Sequence, residues 1–152
     1  MLETPLPREE AVALIRDHAA HPRARLEHRG SVEVLAGFAP SASDSSPTCG
    51  DEVTVRVRLD GDRIAELAWT GRGCTVSQAS ASMLADVLVG RSAADARATV
   101  DAVRGMLRGG ELPGEEVAGD ALALATVIGT PLRASCALLA WLTLGRALPA
   151  SA

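Results

Sequence analysis

Val53, Val55, Val57 and Leu59 alternate with Thr54, Arg56 and Arg58, a period of two that predicts a strand with one buried face. Asp60-Gly61-Asp62 follows as a turn, and "RIAELAW" from Arg63 to Trp69 predicts the returning strand of a hairpin. A hairpin brings the chain back to the edge it left. Cys49, just ahead of the first strand, and the run Gly71-Arg72-Gly73-Cys74 after the second are therefore expected at one end of it.

Elsewhere the apolar positions recur at helical spacing. Ala11, Leu14, Ile15 and His18 lie on one side of a short helix over residues 8–20, after two prolines. A second helix begins near Thr75 or Ser77, carries Ala79, Met83 and Val87, and stops at Gly90. Ser92 stands three residues before Asp95, a cap-like start for a third helix with Ala96, Val100, Val103 and Leu107 in one stripe and Arg97, Asp101, Arg104 and Arg108 opposite. The run "ALALATVI" predicts a short helix, and "GTPLRASCALLAWLTLGRAL" a longer one, with Thr130 as cap, Pro131 at the first helical position and Cys136 within two turns of the start. "SASDSSP", Ser41 to Pro47, is polar and small and is read as a loop.

Composition narrows the classes. A chain of 152 residues with 47% hydrophobic content suits one compact domain over 1–152. The net charge of −4, with no cluster of like charges, gives no support to nucleic acid or an anionic membrane as partner. The N-terminus has no basic and apolar leader pattern, and the longest strongly apolar run, Ala137 to Leu144, is far short of the ~18 residues of a membrane span. A cytoplasmic protein is expected. Three cysteines cannot all pair within one chain, and a reducing compartment disfavours disulfides, so the thiols need another account.

Those thiols are Cys49, with Asp51 one glycine away, Cys74 just before a helix, and Cys136 early in another. Helix starts favour the thiolate, the form of cysteine that binds metal and attacks sulfur. Three thiolates and a carboxylate match the four-ligand preference of zinc. Such a set would carry a formal charge of about −2, which a cation would offset, and Arg133 lies one helical turn before Cys136. Spacing alone leaves a metal site and three unrelated buried thiols both open, because no cysteine pair has the CxxC spacing of a zinc finger. Other features read as structural: His18 as a helix-packing residue rather than half of a dyad with Asp17, His21 and His28 as surface residues, and Gly71 and Gly73 as shaping the turn that aims Cys74. Met83 and Trp141 are expected in the core.

Four blocks carry more than spacing does. "PTCGD" at 47–51, "LDGDRI" at 59–64, "GRGCTVSQASASM" at 71–83 and "TPLRASC" at 130–136 resemble the motif blocks of the IscU/NifU-like iron-sulfur cluster assembly family. The long segment between Cys74 and Cys136 and the Pro-x-Arg-x-x-Cys block are similar to the SufU branch of that family. "IRDHAAHPR" resembles its N-terminal helix and following turn, so the likeness runs from about Ile15 to Leu148.

The resemblance implies an α+β fold, a small antiparallel sheet with helices packed on one face and a metal site at one end. It implies zinc held by Cys49, Asp51, Cys74 and Cys136, with Arg133 beside the site. Cys49 matches the sulfur acceptor, taking persulfide sulfur from a SufS-type cysteine desulfurase, with a SufBCD-type scaffold as a candidate recipient. Cys49 is expected to leave the ligand set on docking and to attack as a free thiolate. The alternative is a scaffold that builds a labile iron-sulfur cluster on the same thiolates. Ser135 stands where IscU-type scaffolds have a histidine and SufU-type proteins commonly a lysine, and the absent histidine argues against an IscU-type scaffold. The N-terminal helix also lacks the aromatic residue often found ahead of its Asp-His pair.

Overall fold

A computed structural model describes residues 6–26, 41–46 and 50–149. The valine alternation forms strand β2 (Glu52–Asp60), with Val53, Val55 and Val57 buried and Arg58 exposed on the other face. Gly61, at φ +63, turns the chain into the antiparallel strand β3 (Arg63–Arg72). This strand runs three residues past Trp69, because Thr70, Gly71 and Arg72 pair with Thr54, Val53 and Glu52. The strands are pressed together at Gly71, where a Cβ would lie 2.2 Å from the Glu52 carbonyl oxygen.

Part of the expected polar loop is a strand. Ser41–Ser45 forms β1, the antiparallel edge neighbour of β2, giving the order β1-β2-β3. Strand pairing needs backbone groups rather than apolar side chains, so an edge strand can be written in serine, alanine and aspartate. Its fixing partners are distant in sequence. Arg146 pairs with Asp44 and donates to the Ser43 carbonyl at 2.9 Å, Thr143 Oγ1 donates to Asp44 Oδ2 at 3.1 Å, and the Ser43 and Thr54 hydroxyls meet at 2.7 Å.

The helices follow the expected pattern at most positions. Helix α1 (Arg8–Ala20) buries Ala11, Ile15 and His18; α2 (Thr75–Leu88) is buried along most of its length, including Met83. In α3 (Ala93–Leu107) the Asp95 N–H donates to the Ser92 cap at 3.1 Å, and Ala96, Val100, Val103 and Leu107 are buried as a stripe. A short α4 (Glu115–Ala118) leads, through Gly119 at φ +50, into a 3-10 helix over Gly119–Val127, where a short helix is expected from the sequence. Ala121 to Ala125 are all buried, and so uniform an apolar run carries no periodicity to separate three residues per turn from 3.6. Helix α5 (Pro131–Ala147) starts with Pro131 at its first position; Thr130 precedes it but makes no side-chain capping bond.

The helices lie on one face of the sheet: α5 against β1 and β2, α2 against β3, with α1 packed on α2 and the 3-10 helix. Trp69, Ile64, Met83, Leu84, Trp141 and Leu144 form one contiguous core with the β2 valines. At its centre Trp141 Nε1–H donates to Ser80 Oγ at 2.9 Å, and the Ser80 hydroxyl donates to the Ala137 carbonyl, joining α2 to α5. This is an α+β fold.

Candidate metal centre

Two backbone bonds tie the β1–β2 connection. Ser46 N–H donates to the Asp51 carbonyl and Gly50 N–H to the Ser46 carbonyl, each at 2.8 Å. Gly50 takes φ +74, a left-handed conformation that side-chain-bearing residues adopt only at a cost. The turn places the Asp51 carboxyl inside the protein, 3% exposed. Pro47, Thr48 and Cys49 lie outside the described residues.

The other end of the hairpin comes to meet it. After β3, Gly73 carries the chain into Cys74, which occupies the N-cap position of α2 and is exposed. The Cys74 backbone N–H donates to Asp51 Oδ1 at 3.2 Å, its Sγ lies 3.9 Å from Asp51 Oδ2, and Ser77 Oγ donates to the Cys74 carbonyl at 3.0 Å. A Cβ on Gly73 would fall 2.6 Å from Asp51 Oδ1 and 2.2 Å from Ser77 Oγ, so any side chain here would force Ser77 and Asp51 to shift. Cys136, 3% exposed in the second turn of α5, completes the corner from the opposite element.

One ligand atom each from Asp51, Cys74 and Cys136 lies within 4.8 Å of the others. Two soft sulfurs and one hard oxygen at that separation form a donor set that suits zinc. A small cavity touches the same corner, lined by Asp51, Ser77, Gln78 and Cys136. Gln78 Oε1 is buried there without a hydrogen-bond partner, an acceptor whose isolation costs about 1–3 kcal/mol. Ser77 and Gln78 escaped the sequence reading. Their only signal was position, one turn beyond Cys74 inside the 71–83 block.

Arg133 is exposed one turn before the buried Cys136. Together with Arg8, Arg16, Cys74 and Thr130 it lines a groove of about 350 Å³, so Cys74 stands at a cationic opening. The histidines fall as expected where they are described: His18 is fully buried and His21 exposed, while His28 lies outside the described residues. Asp17 is not a partner of His18. It accepts from Arg23 Nη2 at 2.8 Å, and this hydrogen bond lowers its pKa below the ordinary carboxylate value.

The same fold and hairpin-end arrangement frame the likeness to known proteins. The chain is 36% identical over 141 residues to the iron-sulfur cluster assembly scaffold protein IscU of Streptococcus pyogenes, covering 93% of this chain and 84% of that one. It is 32% identical over 128 residues to the zinc-dependent sulfurtransferase SufU of Bacillus subtilis, covering 84% and 82% respectively. A crystal structure of a putative iron-sulfur cluster assembly scaffold protein for the SUF system, from Fervidobacterium islandicum, superposes with a TM-score of 0.75 at 28% identity, covering 90% of this chain and 94% of the other. The pattern of the NifU-like N terminal domain matches residues 12–130, which include Asp51 and Cys74. With most of its length matched in sequence and its fold shared, the chain belongs to the NifU-like N-terminal domain family.

Proposed function

We propose that this protein is a zinc-dependent sulfur acceptor that takes persulfide sulfur from a SufS-type cysteine desulfurase for iron-sulfur cluster assembly. The observation that carries the reading is the convergence of Asp51, Cys74 and Cys136 within 4.8 Å, with Cys49 two positions before Asp51 in the sequence. Residues 1–152 act as one domain in a reducing cytoplasm, and no helix among the described residues is long and apolar enough to cross a membrane.

Cys49, Asp51, Cys74 and Cys136 would hold the ion. Bound zinc supplies positive charge that keeps its cysteine ligands as thiolates. Asp51 is fixed by the Cys74 N–H, and Cys136 by its place in a packed helix, so both are stationary donors. Cys49, which matches the sulfur acceptor of the family, is the proposed nucleophile. Its thiolate attacks the outer sulfur of the partner's persulfide: a bond forms between Cys49 Sγ and that sulfur, the partner's S–S bond breaks, and the electron pair leaves on the partner's thiolate. No external oxidant or reductant is consumed. Arg133 offsets the surplus negative charge at the mouth of the site. A SufBCD-type scaffold is the proposed recipient of the sulfur.

The scaffold reading, a labile cluster on the same thiolates, is favoured by the name of the 36% identical relative. Anaerobic purification with zinc and iron quantification separates the two. One zinc per chain is expected, together with loss of labelled-sulfur uptake from the desulfurase in Cys49→Ala. Iron with matching sulfide and visible absorbance, or undiminished uptake by Cys49→Ala, would overturn the transfer reading.

A further inference from the structure

A second set of ligand-type side chains converges away from the thiols, with its α2 member near the C-terminal end of that helix. His18 of α1, Asp86 of α2 and Asp120 of the 3-10 helix each place one ligand atom within 4.8 Å of the others. His18 Nε2 lies 2.9 Å from Asp120 Oδ2 and 3.7 Å from Asp86 Oδ2. Bonds of roughly 2.0–2.2 Å around one ion put neighbouring ligand atoms about 3 Å apart and opposing ones a little over ~4 Å. The measured spacings fall in that range.

The imidazole is built in rather than adventitious. Its side chain is 0% exposed, whereas both carboxylates are 40% exposed and leave the outer side of the cluster open to water. Its other nitrogen, Nδ1, lies 2.7 Å from Ser82 Oγ, which also accepts from the Arg23 backbone N–H at 2.7 Å. A hydroxyl oxygen has two lone pairs, so it can accept from Nδ1–H as well. In that tautomer a bare Nε2 lone pair faces two carboxylates, a geometry that a cation between them would satisfy. A hydrogen on Nε2 satisfies Asp120 alone. Arg23 forms an ion pair with Asp86 through Nε at 3.7 Å, while its Nη2 is engaged by Asp17 at 2.8 Å.

We propose that His18, Asp86 and Asp120 form a second metal site, distinct from the thiolate corner, that takes a divalent first-row transition ion with water in its open positions. One nitrogen and two carboxylate oxygens favour a harder ion than the thiolates do. The Nε2 proton, where present, leaves to solvent as the ion enters. Because the ligands come from three elements, the ion would clasp α1 to α2 and to the 3-10 helix.

Mn2+ is the probe, since it prefers oxygen and nitrogen to thiolate. Its uptake by the whole chain is followed by electron paramagnetic resonance of the free ion, alongside thermal melting. Asp86→Asn is the decisive variant, because it leaves the His18–Asp120 hydrogen bond in place. Expected are one Mn2+ per chain in the wild type and in Cys74→Ser, an affinity at least about tenfold weaker in Asp86→Asn, and a melting temperature raised by Mn2+ in the first two only. No uptake, or uptake unchanged in Asp86→Asn, would overturn the site and leave His18 a hydrogen-bonded clasp. Uptake lost in Cys74→Ser instead would assign the ion to the thiolate corner and overturn it equally.

Discussion

Gly73→Ala tests whether the Asp51 corner is built around the absence of a side chain. The added methyl would stand 2.2 Å from Ser77 Oγ and 2.6 Å from Asp51 Oδ1, both well inside contact distance. Ser77 can rotate away, giving up its bond to the Cys74 carbonyl. Asp51 cannot do so freely. It is 3% exposed, and the oxygen that is struck is the one accepting from the Cys74 N–H. Losing a hydrogen bond to a charged group costs about 1.5–3 kcal/mol. Carried into ligand placement, that corresponds to roughly 10- to 100-fold in zinc affinity. Competition with a chromophoric chelator reads the affinity, and melting of the zinc-free protein reads the fold. Gly73→Ala should weaken zinc by that factor, and adding Ser77→Ala should not rescue it, because the 2.6 Å clash with Asp51 remains. Zinc held within twofold of wild type, or full rescue by Ser77→Ala, would refute the reasoning. Gly50→Ala is the control with the opposite physics: it meets nothing within 4 Å, and its cost of about 1–2 kcal/mol is backbone strain at φ +74.

Two predictions concern the scaffold beneath the site. Gly71→Ala would place a methyl 2.2 Å from the Glu52 carbonyl, where the obstacle is backbone; chemical denaturation should show a loss of about 1–3 kcal/mol or more, and an unchanged midpoint would mean that the strands can part without penalty. Trp141→Phe removes the donor to Ser80 and leaves unfilled volume between α2 and α5, so unfolding free energy should fall by about 2–3 kcal/mol; a change below ~0.5 kcal/mol would show that this bond adds nothing net.

The sequence by itself determined the elements whose burial repeats with a local period. The β2 valines, the Ala96–Leu107 stripe and the Ser92 cap were legible because each depends on residues within one or two turns or along one strand. The motif blocks also named Cys49, Asp51, Cys74 and Cys136 as candidates, although their spacing left three unrelated thiols open as well. Tertiary structure decided what depends on partners far along the chain. Strand β1 carries no apolar alternation and is fixed by Thr143 and Arg146, about a hundred residues away. Ser77 and Gln78 gain their place only when α2 is set against α5. His18 reads from sequence as a packing residue, and its two carboxylate neighbours stand 68 and 102 positions later. Local pattern fixes which face of an element is buried, because hydrophobic burial follows the period of the backbone. Which polar groups meet across those buried faces is a matter of packing, and no period along the chain records it.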